Sequence, residues 1–226
     1  MVLLRPIDLA VTPVYDRIAP LYDWLTAPME AMGGEARRRR VIAGARGRTL
    51  EVGVGTGRNF PLYGEGVQLT AVDISARMLM RARRRGEKVG RRVRLVRAAA
   101  EALPFRDGTF ETVTATCVFC SVGDPIRGLQ EVRRVVRPTG AVLMLEHVRP
   151  ANRILGKLFD WLSPLTRRVL GPDINRRTEE SVVAAGLEVV HVRRNGVWRE
   201  IVAQPGGSGG QGGAKPPGHG ANARPE

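Results

Sequence analysis

The chain has 226 residues, 43% of them hydrophobic and 26% charged, with a net charge of +14. That is enough chain for one α/β domain with its own core, and without an 18-residue apolar run no transmembrane helix is expected. No helix-turn-helix, RNA-binding or zinc pattern accompanies the basic charge, so nucleic acid is not an expected partner and no metal site is expected.

Lysine occurs only at positions 88, 157 and 215, so 33 of the 36 basic residues are arginine. A solvated basic face is the first reading of that charge, and attraction to an anionic membrane the second. The start, Met1-Val2-Leu3-Leu4-Arg5-Pro6, is too short for a signal peptide. The pair Cys117 and Cys120 reads as buried thiols in a reducing cytoplasm, because one C-x-x-C at a strand end is neither a zinc site nor a helix-activated thiolate. The expected location is the cytoplasm, with peripheral contact at the membrane as a further expectation.

Taken in order, residues 1–47 read as a helical lid. Two Tyr-Asp pairs, Tyr15-Asp16 and Tyr22-Asp23, stand seven apart and so share a helical face. Residues 29–44 are helical in composition, and the run Arg37 to Arg40 covers every face of a helix, so most of its charges should be solvated. An apolar strand follows and ends in Glu51-Val52-Gly53-Val54-Gly55-Thr56-Gly57-Arg58-Asn59. Glycines at alternate positions let a backbone turn sharply and a ligand approach closely. A second apolar run ends on Asp73, and a strand, a glycine turn and an acid after the next strand frame a nucleoside site. Position 58 is Arg, so the dinucleotide pattern G-x-G-x-x-G is not met, and no lysine makes a P-loop.

Ser75 should cap a helix through Met78, Leu79, Ala82 and Arg85, with Gly86 and Gly90 near its end. A third strand covers 93–96, a turn falls at Arg106-Asp107-Gly108, and a fourth strand covers about 110–118. Asp124-Pro125 should start a helix that buries Ile126, Leu129, Val132 and Val136 and stops before Pro138-Thr139-Gly140. The fifth strand, 141–146, is a continuous apolar run suited to a parallel strand covered on both faces. Residues 152–170 are amphipathic, 167–182 read as a further helix, and strands near 187–192 and 197–202 flank the hairpin turn Arg193-Arg194-Asn195-Gly196. The alternation gives an α/β fold: a doubly wound, Rossmann-like, seven-stranded and mostly parallel sheet with a C-terminal antiparallel hairpin strand. The domain should span 1–203, and the Gly/Pro-rich stretch 204–226 reads as a disordered tail.

With these segments in view the chain resembles the class I S-adenosylmethionine (SAM) methyltransferases of the methyltransferase-11 type. The residues that carry the resemblance are Tyr15–Asp23, Leu50–Asn59, Val72-Asp73-Ile74-Ser75, Glu101–Phe105, Phe119-Cys120-Ser121-Val122 and Leu145-Glu146-His147-Val148. It covers about residues 12–203 and is similar to the quinone-biosynthesis enzymes. It is closer to a branch holding bacterial phospholipid N-methyltransferases and thiol methyltransferases. The resemblance implies SAM as cofactor, with Gly53, Gly55 and Gly57 around its methionine end and Asp73 on the ribose. Ile74 and Met78 would flank the adenine, with Ala100 and Glu101 at its edge. Tyr15, Tyr22, Glu51, Asn59 and Cys117 complete the implied cofactor contacts. One departure is Ala99, where the family often has an Asp.

The implied activity is methyl transfer to a small or lipid-like acceptor: a quinone precursor, a phospholipid amine or a thiol. His147 and Glu146, at a strand end, and Tyr22, from the lid, are the candidate bases. A non-catalytic SAM-binding protein is the alternative reading, and a nucleotide-dependent oxidoreductase ranks below it. The sequence does not give the oligomeric state.

Overall fold

The computed structural model describes residues 14–147 and 178–207. The expected helix over 152–170, the start of the one over 167–182 and the tail beyond 207 lie outside the described residues.

The lid is helical over 14–18, continues as a 3-10 turn Ala19–Leu21, and then forms α1 (Tyr22–Met29). A π-helical turn, Glu30–Gly34, joins it to α2 (Glu35–Ile42). Then come β1 (Arg48–Val52), β2 (Gln68–Asp73), α3 (Ala76–Lys88), β3 (Arg94–Arg97) and β4 (Phe110–Thr116). The remaining described elements are α4 (Pro125–Val135), β5 (Val136–His147), α5 (Thr178–Ala184), β6 (Leu187–Asn195) and β7 (Trp198–Pro205). The sheet has seven strands in the order β3-β2-β1-β4-β5-β7-β6. The first five run parallel, and β7 lies antiparallel to both β5 and β6. This is the doubly wound sheet the alternation implies. The direction of succession reverses at β1, beyond whose carboxyl end ligands sit in such sheets.

The caps form as the sequence dictates. The Ser75 side chain accepts from the Met78 N–H and starts α3, and Asp124 accepts from the Arg127 N–H ahead of Pro125 and starts α4. Gly90, with φ +66°, follows α3 closely. At the hairpin, Asn195 pairs with Trp198, so the loop is Gly196-Val197, centred two residues later than the expected turn Arg193–Gly196. Gly196 has φ +57° at its first position, as a II′ turn needs.

One apolar layer, with Leu50, Val113, Leu129, Val132, Met144 and Ile201, lies on one face of the sheet. The other face carries Ile42, Phe60, Leu69, Ala71, Ala82 and Leu143. Apolar side chains on both faces explain why residues 141–146 of β5 read as a continuous hydrophobic run.

Four expectations need correction. Ile126 is 40% exposed, because α4 turns Leu129, Val132 and Val135 inward instead. Val136 is buried as expected but opens β5, five residues before the apolar run. Residues 137–140 hold the extra residues of a bulge in β5 opposite Phe110 to Thr112, where Gly140 admits no Cβ: one would stand 2.7 Å from Val136 Cγ2. β7 pairs with β6 as far as Pro205, so Gln204 and Pro205 belong to the sheet rather than to a tail. Finally, Arg38 is buried at 9% exposure, one turn before Ile42, although the arginine run suggested a solvated face.

Candidate functional site

The strand β1 delivers the chain into a turn where Gly53, Gly55 and Gly57 all have positive φ, +65°, +54° and +79°. Each glycine has a different reason. A Cβ on Gly53 would stand 2.5 Å from Val118 Cγ2, and one on Gly57 would stand 2.6 Å from the Phe60 ring. A Cβ on Gly55 would meet nothing within 4 Å, so open space lies over it. Gly53 and Gly55 line a cavity at the carboxyl ends of β1, β2 and β4, and Gly57 lies beneath it, packed on Phe60. Asp73, Ile74, Met78, Ala99, Ala100, Glu101 and Cys117 line the same cavity. Asp73 Oδ2 accepts from the Gly55 N–H at 2.8 Å, and Oδ1 accepts from the Ser75 N–H at 2.9 Å. The carboxylate therefore ties the glycine turn to the start of α3. Its burial pushes its pKa up to about 6, against those backbone N–H donors.

The lid closes the cavity. Tyr15 and Tyr22 both line it, with ring centroids 6.3 Å apart. The Tyr15 hydroxyl shares a hydrogen bond of 2.5 Å with Ser121 Oγ. The two aspartates that accompany the tyrosines clasp the lid down. Asp16 accepts from Ser75 Oγ at 2.5 Å, and Asp23 accepts from Thr56 Oγ1 at 2.7 Å, Arg58 Nε at 3.0 Å and an Arg85 guanidinium nitrogen at 2.6 Å. The seven-residue spacing thus puts two rings over the cavity and two carboxylates on the elements that build it.

A methyltransferase-domain family matches residues 50–144, the stretch from the glycine turn to β5. A phosphatidylethanolamine N-methyltransferase of Cereibacter sphaeroides is 41% identical over 143 residues, 61% of this chain and 68% of that protein. A demethylmenaquinone methyltransferase of Renibacterium salmoninarum is 34% identical over 156 residues, 65% of this chain and 61% of that protein. The chain belongs to the SAM-dependent methyltransferases. Its fold agrees with a solved SAM-dependent methyltransferase of Thermotoga maritima, at 22% identity and a TM-score of 0.69 over 86% of this chain and 99% of that one. SAM is accordingly the cosubstrate. The cavity fits it on its own terms: the open space over Gly55 admits a ligand against backbone, and each Asp73 oxygen has a further lone pair to offer.

Not every expected residue of this methyltransferase reaches the cavity. Glu51 is fully buried behind it and accepts from Asn59 Nδ2 at 2.7 Å; Asn59, which does line the cavity, also donates to Thr116 Oγ1 at 3.0 Å. Glu51 thus orients Asn59 rather than touching a ligand. Burial lifts it to about 7, and its Oε2 has no partner. Glu146 is also fully buried outside the cavity. Its Oε1 accepts from the Val118 and Phe119 N–H groups, both at 3.1 Å, and so braces the loop after β4. That loop needs bracing, because Cys117 has φ +57°, the one positive φ outside glycine among the described residues.

His147 does not line the cavity either. It packs edge-on against Trp198, with centroids 3.8 Å apart. Burial, then the charges of Arg37 and Arg38, lower it to about 4, so it stays neutral. Tyr22 does line the cavity, but burial holds its hydroxyl well above the ordinary phenol range. It is a protonated donor at neutral pH, not a base. Desolvation likewise pushes the Cys117 thiol up to about 12, and both cysteines are free; Cys120 is buried as expected, whereas Cys117 is half-buried at the cavity.

Sequence reasoning missed two cationic residues. Arg38 lines the cavity from α2 and donates to Thr116 Oγ1 at 2.6 Å and to Glu30 Oε1 at 3.0 Å. Arg58 lines it from the glycine turn and stands 3.2 Å from the same Glu30 oxygen. Arg58 also pairs with Asp23, which Arg85 shares, so three guanidiniums meet two carboxylates and the corner stays net positive. The spacing Gly34, Arg38, Ile42 would have pointed to Arg38, since all three lie on one buried stripe at every fourth residue. Nothing about Arg58 distinguishes it in the sequence from the other arginines.

Proposed function

We propose that this methyltransferase transfers the SAM methyl group to the amine of a phospholipid-like acceptor. Within that reading Gly55 lies against the methionine end, and Asp73 accepts from the ribose hydroxyls. Ile74, Met78 and Ala100 hold the adenine between apolar surfaces. Arg38 and Arg58 face the carboxylate at the amino-acid end. Ala99 offers no side-chain acceptor to the adenine amino group, so backbone groups of 99–101 take that part.

When bound, SAM supplies a methyl group activated on a sulfonium. The residues' part is placement: holding reactants in line offsets ~7–11 kcal/mol of barrier. Tyr15 and Tyr22 close over the site and exclude water, which strengthens the electrostatics inside.

The observation that carries the choice of acceptor is the lack of a base. Among the described residues the cavity holds no imidazole. Its carboxylates, Asp73 and Glu101, accept from backbone N–H groups of Gly55, Ser75 and Asp124. An amine that has already lost its proton to water attacks with its own lone pair, and a thiolate formed in water does the same, so a lining without a base disfavours the quinol carbon and leaves amine and thiol to be separated by similarity. The 41% identity to a phosphatidylethanolamine N-methyltransferase points the same way. A quinone precursor is the second reading, on the similarity to a demethylmenaquinone methyltransferase. Radiolabelled methyl transfer into phosphatidylethanolamine, demethylmenaquinol and an alkyl thiol tests the choice. Label in the lipid amine, rising with pH, is the expected result. Label only in the quinol or the thiol, or none with SAM bound, refutes it.

A further inference from the structure

The lid is apolar on two sides. Tyr15, Ala19 and Tyr22 face inward, and Arg17, Leu21, Trp24 and Leu25 follow a second helical stripe with spacings of four, three and one. On that outer stripe Leu21 is 60% exposed, Trp24 75% and Leu25 39%. A helix apolar on both sides is normally covered on both. Here one side meets the cavity and the other meets nothing among the described residues. The first turn of α3 touches the lid through the Arg77 N–H, which donates to Asp16 Oδ1 at 3.2 Å. That helix adds Met80, 57% exposed, with Arg77, Arg81 and Arg84 around it. Among the described residues the side chains of Arg17, Arg77, Arg81 and Arg84 make no ion pair, whereas Asp16 and Asp23 are turned inward and engaged. The first carboxylate along that face of α3 is Glu87, one turn further on.

We infer that the outer face of the lid docks on an anionic phospholipid surface. This rests on the lipid-acceptor reading. Tryptophan and leucine on an arginine-ringed face are the composition of a segment that lies in a membrane interface. Its positive charge complements an anionic leaflet, in a chain of net charge +14. The same lid carries Tyr15 and Tyr22 on its inner side, so a lid that rests on lipid opens its cavity towards the layer that holds the acceptor.

Co-sedimentation of the full chain with phosphatidylcholine vesicles, with and without phosphatidylglycerol, tests the inference, alongside calorimetric binding of S-adenosylhomocysteine. The expected result is sedimentation with the anionic vesicles only, weakening as salt rises. An arginine near an anionic leaflet is worth about fivefold in affinity, so an Arg77→Glu/Arg84→Glu double variant loses about thirtyfold or more. A Trp24→Ser/Leu25→Ser variant loses a comparable factor. Both keep the wild-type isotherm for S-adenosylhomocysteine, which shows that they are folded. No sedimentation of the wild type, or sedimentation unchanged in both variants, overturns the docking surface. If docking fails while label still enters dispersed lipid amine, the inference falls and the acceptor reading stands. If docking holds and no label enters lipid, the acceptor reading falls alone.

Discussion

Arg38 offers the sharpest test of how the cavity binds its ligand. Its guanidinium is buried and donates to Thr116 Oγ1 at 2.6 Å and Glu30 Oε1 at 3.0 Å. Glu30 is shared with Arg58, which also pairs with Asp23, so Arg38 has only a share of one carboxylate and can accept a second. A hydrogen bond to a charged group contributes about 1.5–3 kcal/mol. Losing one such bond weakens binding by about 10- to 150-fold. An Arg38→Met variant keeps the aliphatic stem and removes the charge. It also strands Glu30 beside one arginine, and breaking a buried pair costs about 3–5 kcal/mol of stability, less here because both groups keep some solvent contact. Affinity must therefore be separated from folding. Calorimetry with S-adenosylhomocysteine and with methylthioadenosine does so, because the second ligand keeps the nucleoside and lacks the amino-acid end. The expected result is a loss of about 10- to 150-fold for the first and little change for the second. Equal losses for both ligands would show that Arg38 only shapes the site, and the carboxylate role would be withdrawn.

Three further outcomes follow from the same geometry. On the proposed reading Asp73 holds the ribose hydroxyls best as a carboxylate, a stronger acceptor than the neutral acid, and burial lifts its pKa to about 6. SAM affinity should therefore hold above that pH and fall below it, by about tenfold at one pH unit lower. An Asp73→Asn variant should bind weakly with no such step in its calorimetric pH profile. Gly53→Ala drives a Cβ to 2.5 Å from Val118 Cγ2 at a positive φ, so thermal unfolding should show a loss of about 2 kcal/mol or more. Gly55→Ala has room, so it should lose only about 1 kcal/mol of stability and fail mainly in SAM binding. His147→Ala should keep turnover within about twofold, because the ring packs on Trp198 and not on the cavity. Turnover lost at unchanged SAM affinity and melting temperature would return His147 to the mechanism.

The legible parts of this fold are those set by local chemistry. Ser75 and Asp124 cap helices because their side chains reach N–H groups within the next turn, and no distant contact is needed. The alternate glycines and Asp73 were legible for the same reason: a turn and the end of a neighbouring strand bring them together. What the sequence hid depends on distant partners. Glu51 and Glu146 look like ligand residues because they stand at strand ends. One oxygen of each is taken, by Asn59 and by the N–H groups of Val118 and Phe119, which only the tertiary structure brings there. Arg38 was hidden by its neighbours, since four arginines in a row blur the stripe that buries one of them.

The misplacement of Glu146 and His147 has a chemical consequence. Strand ends in a doubly wound sheet point at the ligand, but β5 shares its end with β7, and the pairing of His147 with Trp198 draws that edge away from the cavity. Among the described residues, the ionisable groups left facing the cavity are donors or engaged acceptors: protonated tyrosines, arginines, a protonated thiol, and carboxylates held by N–H groups. On the proposed reading such a lining stabilises an anionic ligand end and keeps out water, and it takes no proton from an acceptor. Methyl transfer then depends on a nucleophile that arrives with its lone pair free, which selects acceptors by their own acidity. For an amine, the rate at saturating SAM should therefore rise with pH along the acceptor's own ionisation and not along that of any residue of the chain. Exchanging the lipid amine for one of lower pKa should shift the profile down by the same interval. A profile that stayed fixed while the acceptor changed would mean that a residue of the protein takes the proton after all.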